Sequence, residues 1–224
     1  MAEIDGLRER SEYRMSVVES ELLKKQLASL RGEFHPFVAA MESALSACRE
    51  KVVDWNYSLG ATLELVPYEN LIPNILETKG RLLRNLTRQA LNSKRFIKCG
   101  LDGNGVPILE IRRLDTEVER FGELVRFISG DMIVSCHLFD NETHRNRLTS
   151  LTRVIRQSNA VHYVSVNPPH HWAVRSDLLS GGRISQSSIM ATSWYKQLDY
   201  DFVYSSSGRL DAILIGDHTH WSAE

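Results

Sequence analysis

Apolar positions in the first quarter of the chain follow a helical period. Between Ile4 and Arg31 they recur every three or four residues, with charged side chains between them. A second stripe with the same spacing runs from Pro36 to about Asn56, after the break that Gly32 and Pro36 introduce. Two long N-terminal helices are therefore predicted. Their inward positions are Met15, Val18, Leu22, Leu27, Leu30 and Phe34, followed by Phe37, Met41, Leu45, Cys48, Val52 and Trp55.

The first helix has two interpretations. Its stripe lasts about four heptads, which is near the minimum for a coiled coil. Residues 1–33 are thus either a coiled-coil arm that assembles the protein into oligomers, or a helix that lies on the protein's own core. The sequence leaves both interpretations open, and the first predicts a dimer or a helical partner protein.

Two runs of β-favouring residues between Ser93 and Ile111 flank the turn sequence Asp-Gly-Asn-Gly at residues 102–105. Because these turn residues adopt positive φ angles at low cost, the segment predicts a β-hairpin. A basic amphipathic helix is predicted just before it, from about Leu76 to Asn92, and a short strand at 61–66.

The basic helix and the hairpin have side chains suited to nucleic acid. No acidic residue lies between Lys79 and Lys98. Guanidinium groups bind phosphate bidentately, and asparagine can read adenine. The alternative to nucleic-acid binding is that the basic face of this helix is simply exposed to solvent. The predicted nucleic-acid-binding residues are Arg81, Arg84, Asn85 and Arg88 on the helix and Lys94, Arg95 and Lys98 on the hairpin.

The order helix, short strand, helix, basic helix and hairpin over residues 36–112 resembles the winged helix-turn-helix class. The likeness lies in the order of elements, since no motif specific to that class is present. It implies that the basic helix is a recognition helix and the hairpin a wing that contact nucleic acid.

The second half of the chain changes pattern. Leu114–Ser129 reads as an amphipathic linker helix. Strands are predicted at Asp131–Phe139 and Val161–Val166, with a helix capped by Asp140 and Asn141 between them. A helical crossover of this kind implies parallel pairing.

A Ser- and Gly-rich loop that is either mobile or covers a ligand is predicted at 176–193, and a closing hairpin at 202–215. The expected fold class is α+β, with N-terminal long helices, a central winged-helix-like helix plus β-hairpin module, and a C-terminal mixed α/β domain. The predicted units are a helical oligomerisation arm (1–33), a winged-helix-like module (34–113), a linker helix (114–129) and a C-terminal α/β ligand or partner domain (130–224).

Polar side chains follow both strands of the predicted β-α-β unit. Parallel sheets bind ligands beyond the carboxyl ends of their strands, and a helix N-terminus with an arginine can hold an anion. The predicted ligand-binding residues are Asp140, Asn141, His144 and Arg145 after the first strand and Asn167, His170 and His171 after the second. The pair His218 and His220 lacks a metal-binding signature, so neither a metal nor a cofactor is predicted.

Composition narrows the classes of function. The 224 residues carry a net charge of −1, so an anion site has to come from local clustering. Three widely spaced cysteines fit neither a disulfide framework nor a zinc ribbon. No run reaches the roughly 18 apolar residues of a membrane span. A cytoplasmic protein without membrane contact is expected.

Three functions remain open. The first is a nucleic-acid-binding regulatory or accessory protein with a C-terminal recognition domain, whose partner is DNA or RNA. The second is a small hydrolase or phosphotransferase that uses a His/Asp cluster at the strand ends, with His144 or His170 as acid-base group. The third is an adaptor assembled through the N-terminal helices. The sequence favours a non-enzymatic function.

Overall fold

The computed structural model describes residues 20–60, 63–69, 71–72, 80–84, 96–115, 120–139, 145–167, 171–192 and 194–223. Within these ranges the chain forms one helix, α1 (Glu21–Glu50), and a single sheet of 13 strands. The strands are β1 (Asp54–Leu59), β2 (Arg81–Leu82), β3 (Phe96–Leu101), β4 (Pro107–Asp115), β5 (Arg120–Ser129), β6 (Met132–Leu138), β7 (Arg147–Arg156), β8 (Ala160–Asn167), β9 (His171–Ser180), β10 (Arg183–Ala191), β11 (Leu198–Tyr204), β12 (Leu210–Ile215) and β13 (His218–Ser222).

The sheet is an antiparallel meander. From β3 to β13 every strand pairs with its neighbour in the chain, and β1 lies between β2 and β3. Tight turns make this order possible. Gly181 and Gly182 alone connect β9 to β10, with φ angles of 57° and 78°, which only glycine adopts freely at both positions of such a turn.

Helix α1 covers one face of the sheet, here called the helix face. The Ser20 hydroxyl caps it by accepting a bond from the Leu23 amide. The break predicted at Gly32 and Pro36 is wrong, because Pro36 lies inside one continuous helix, where it leaves the Gly32 carbonyl without its ladder bond. Its buried stripe packs on apolar strand residues of β4 to β9 and consists of Leu23, Leu30, Phe34, Met41, Leu45 and Cys48.

The opposite face is covered by residues 63–69 and 71–72, here called the strap. Val66 packs against Ile133, Val154 and Tyr163, which alternate along their strands with residues of the helix face. Ile72 is buried in a second cluster at the C-terminal end of the sheet. The strands between α1 and the strap are therefore covered on both faces.

The predicted α+β fold class is wrong, because the described chain is mostly one antiparallel sheet. The winged-helix module is also wrong. Its hairpin is confirmed as β3 and β4, but these strands lie inside the sheet between β1 and β5 and so do not form a free wing. Residues 54–59 form a strand where the second helix was expected to end.

The coiled-coil prediction is wrong for the described part of the first helix. The apolar stripe of α1 packs on the sheet of the same chain, so it is not free to pair with another helix. Residues 1–19 lie outside the described residues. The short strand expected at 61–66 is absent from its described part, residues 63–66, which belong to the strap.

Three of the elements predicted after residue 113 are wrong, namely the linker helix, the crossover helix with its parallel unit, and the Ser- and Gly-rich loop. Residues 120–129 form β5 where a linker helix was expected, and 147–156 form β7 where the crossover helix of the parallel unit was expected. The strands around β7 are antiparallel, so no parallel unit exists there. Residues 176–191 belong to β9 and β10 and their turn, although a loop was expected. The closing hairpin is confirmed as β11 and β12.

Packing of α1 on the sheet should contribute strongly to stability. Leu30 is fully buried between α1 and the sheet, so Leu30→Ala should lower the free energy of unfolding by about 3 kcal/mol through lost contacts and a residual cavity. Urea unfolding measures the change. Leu22 on the same helix is 39% exposed, and Leu22→Ala should change stability by less than about 1 kcal/mol. Equal effects of the two substitutions would contradict this packing.

Candidate functional site

The strap is held on the sheet by polar contacts from three separate strands. They come from β5, β9 and β13, so the strap spans much of the face. The bonds run from Arg175 Nη2 to the Pro67 carbonyl at 2.7 Å, from Arg126 Nη2 to the two carboxylate oxygens of Glu69 at 2.7 and 2.8 Å, and from His220 Nε2 to the Leu71 carbonyl at 2.9 Å.

An open cleft of about 290 Å³ lies beside the strap, at the end of the sheet where β9 turns into β10. Two strap residues and the ends of four strands build it, together with the turn between β11 and β12. The lining residues are Pro67, Tyr68, Val161, Tyr163, Asp177, Leu179, Gly182, Arg183, Ile184, Tyr204 and Gly208.

Two charged residues line this cleft, and one of them is already neutralised. Asp177 is buried and accepts bonds from Arg175 through both carboxylate oxygens, at 2.7 and 2.9 Å. The side chain of Arg183 is exposed, and no carboxylate of the described residues forms an ion pair with it. Arg183 therefore provides the positive charge that a bound molecule would meet.

Two neighbouring residues, Tyr204 and Gly208, fix the position of the Arg183 guanidinium. The group sits over the ring of Tyr204, 5.7 Å from its centroid. It also lies against Gly208, whose φ is +82° and where a Cβ atom would collide with it. The Tyr204 hydroxyl donates to the Ile184 carbonyl at 2.9 Å, which holds the ring in place.

Two tyrosines of the cleft, Tyr163 and Tyr204, are neutral at physiological pH. Burial raises the pKa of Tyr163 to about 12, and the charge of Asp177 adds to that shift. Burial also raises the pKa of Tyr204. Tyr68 has φ of +57°, the one positive value among the described non-glycine residues, and its ring packs on Phe202 at 5.3 Å. Such a conformation is costly for a tyrosine, and strained residues cluster at functional sites.

The described residues that line the cleft include no serine, cysteine or histidine, so they offer no nucleophile paired with a base. Among the described residues, no group of three or more His, Cys, Asp or Glu side chains is placed to hold a metal ion.

Of the predicted nucleic-acid residues, those within the described ranges lie away from the cleft. Arg81 in β2 and the nearby Arg84 are exposed at the β2 edge of the sheet. Lys98 in β3 is two strands away, and its ammonium lies 3.7 Å from the centre of the Trp55 ring. Asn85, Arg88, Lys94 and Arg95 are outside the described residues. Without the winged helix, DNA binding loses the structural context on which it was predicted, and contact by these residues is untested.

Of the predicted ligand residues, those in the described part of the chain lie apart from the cleft. Asn167 pairs with His171 where β8 meets β9, and Arg145 precedes β7 at the same end of the strands. The cleft lies at the opposite end of β9. Asp140, Asn141, His144 and His170 are outside the described residues. The argument from parallel strand ends does not apply, because these strands are antiparallel.

Sequence reasoning missed a buried Ser-His pair on the helix face. His162 Nδ1 and Ser176 Oγ are 2.8 Å apart, and the residues are 1% and 5% exposed. In the next two strands, Ser188 continues the row and donates to Asp199 at 2.6 Å. Because the Ser-His pair is closed to solvent, it satisfies buried polar groups within the sheet and is not a candidate nucleophile.

Comparison of the chain with protein-family models, with curated proteins and with solved structures finds no match. In the described part of the chain, no helix is long and apolar enough to cross a membrane. The interpretation of the cleft therefore depends on its own geometry.

Stability should fall with acidification because of His162. Burial lowers the pKa of His162, and the charge of Asp177 opposes this only in part. The unfolded chain takes up a proton near pH 6.5, above the folded pKa, so the free energy of unfolding falls as pH drops through that value. Urea unfolding between roughly pH 7.5 and pH 5 should show a smaller loss for His162→Gln than for the native chain.

The matched control for this prediction is His218→Gln, because His218 is exposed. This variant should lose stability on acidification as the native chain does. The account of His162 is wrong if His162→Gln and His218→Gln show the same pH dependence.

Proposed function

We propose that this protein binds a small organic anion with a flat, apolar body in the cleft beside the strap. The observation that carries the proposal is the exposed guanidinium of Arg183 at a cleft with three tyrosines, Tyr68, Tyr163 and Tyr204. Asp177, the other charged lining residue, is paired with Arg175. The cleft therefore favours negative charge on its ligand.

The shape and chemistry of the lining indicate the rest of the ligand. Tyrosine rings favour planar partners, through stacked or edge-on contacts. Val161, Leu179 and Ile184 add aliphatic surface. The cavity of about 290 Å³ is close to the lower limit of small-molecule sites, which suits a compound of one or two rings.

Arg183 is well placed to recognise a carboxylate or a phosphate. Guanidinium has five N–H donors in a planar fork, and bonds between charged groups are roughly twice as strong as neutral ones. Packing against Tyr204 and Gly208 restricts the side chain before any ligand arrives, which reduces the entropy lost on binding.

The three functions expected from the sequence remain separate and untested hypotheses. The hydrolase hypothesis depends on His144 or His170, which lie outside the described residues. Likewise, the predicted nucleic-acid residues and the adaptor hypothesis concern other parts of the chain. The proposal for the cleft rests instead on the contacts of the Arg183 guanidinium with Tyr204 and Gly208.

Titration calorimetry with naphthoate tests the proposal. Arg183→Gln removes the charge and should weaken naphthoate binding at least tenfold, since a hydrogen bond between charged groups contributes about 1.5–3 kcal/mol. Binding of neutral naphthol should change little, because it makes no ion pair with Arg183.

Arg209→Gln is the matched control. Arg209 is an exposed arginine next to the cleft turn that does not line the cavity, so this variant removes the same charge while leaving the site intact. Naphthoate affinity should stay within twofold of the native value. Absence of naphthoate binding to the native chain, or an equal loss in both variants, would contradict the proposal.

A further inference from the structure

A second cavity of about 150 Å³ lies under the strap, here called the strap cavity. The strap separates it from the cleft. Pro67 and Tyr68 line the cleft, whereas the adjacent residues Val66 and Glu69 line the strap cavity. Tyr163 lines both, so the two spaces share a wall.

The polar groups around the strap cavity are already paired with one another. Arg126 binds the Glu69 carboxylate, and the Thr152 and Ser165 hydroxyls are 2.8 Å apart. Arg175 is bonded to Asp177 and to the Pro67 carbonyl. A molecule that enters finds no unpaired charge among these groups. What remains is apolar surface from Val66, Ile72, Ile133, Ala173 and Ile189.

The two cavities follow the same pair of strands. Asp177 lines the cleft, and Arg175, two residues earlier on the same face of β9, lines the strap cavity. On β10, Arg183 lines the cleft and Ile189 lines the strap cavity. Six residues of strand span roughly 20 Å, a length on the scale of an extended alkyl chain.

Tyr68 lies at the boundary between the cavities. Its backbone is in the left-handed region, with φ of +57°, while the strap is anchored on both sides by the buried residues Val66 and Ile72. A backbone with a strained residue between two fixed points can relieve strain by a local shift. Such a shift of Tyr68 would open a passage beside Tyr163, the wall that the two cavities share.

We propose that the cleft and the strap cavity form one binding site for a single-chain anionic amphiphile. The acid group binds Arg183, and the hydrocarbon chain passes Tyr163 into the strap cavity. This inference rests on the proposed anion site at Arg183, and it adds alkyl carboxylates and alkyl phosphates as a second class of ligand to the flat anions proposed for the cleft alone.

Affinity should increase with chain length in the native protein. Titration with butanoate, octanoate and dodecanoate, each below its micelle concentration, measures this dependence. Burial of each methylene group should improve affinity roughly fourfold until the strap cavity is filled. The series on the native chain tests the inference without any substitution.

A variant whose side chain fills the strap cavity should prevent affinity from increasing with chain length. Ala173 is a half-buried lining residue, and Ala173→Leu places three more carbon atoms in the space. Dodecanoate affinity should fall at least tenfold, with naphthoate affinity within twofold of the native value. The control is Ala212→Leu, the same change at a half-buried strand position that lines neither cavity. Urea unfolding verifies that both variants are folded.

Two further ligands distinguish a free anionic amphiphile from the surface of a lipid bilayer. They are dodecyl phosphate and vesicles of a two-chain anionic phospholipid. Binding of monomeric dodecanoate or dodecyl phosphate supports the inference. Vesicle binding without monomer binding overturns it, because a bilayer surface does not need the strap cavity.

The outcomes also separate this inference from the proposed function. If naphthoate binds but the affinities of the alkyl carboxylates do not depend on their chain length, the inference is overturned. The proposed anion site at Arg183 then still stands. If neither naphthoate nor any alkyl anion binds, both are overturned. Equal loss of dodecanoate binding in Ala173→Leu and Ala212→Leu also overturns the inference.

Discussion

The ion pair between Arg175 and Asp177 is the interaction on which the strap face depends. Both side chains are buried, and the guanidinium also bonds the Pro67 carbonyl and lies 5.5 Å from the Tyr163 ring centroid. Burying two charges is costly, and removal of either partner would leave the other unpaired in a dry environment. The pair therefore fixes the strap against β9. Asp177 lines the cleft and Arg175 lines the strap cavity, so the pair forms part of the wall of both spaces and leaves Arg183 as the charge exposed to a ligand.

The sheet is covered on one face by α1 and on the other by the strap, and this explains why strand β7 was predicted as a helix while two hairpins were predicted correctly. The β3–β4 and β11–β12 hairpins have short turn sequences and β-favouring flanks, and both were predicted. In β7, Leu151 faces α1 whereas Val154 faces the strap. Buried residues from both faces then recur three apart, and this spacing resembles a helix.

The cleft could be predicted only in part. The Ser- and Gly-rich segment around Gly181 was expected to be mobile or to cover a ligand, and its Gly-Gly turn does bring Arg183 to the cleft. A two-residue turn of that kind is also a hairpin signal, and this signal was missed. The remaining walls come from the strap and from Tyr204, which are distant in sequence. Their meeting depends on the order of strands in the sheet, and no local pattern of residues encodes that order.

The most direct test of this account is a map of backbone amide NMR shifts during titration with naphthoate. The account predicts that the largest changes occur at the cleft, in Tyr68, at 182–184 and at 204–208, and that Arg183→Gln suppresses them. Changes centred on α1, or on the sheet edge at Arg81 and Arg84, would contradict the claim that the cleft beside the strap is the binding site.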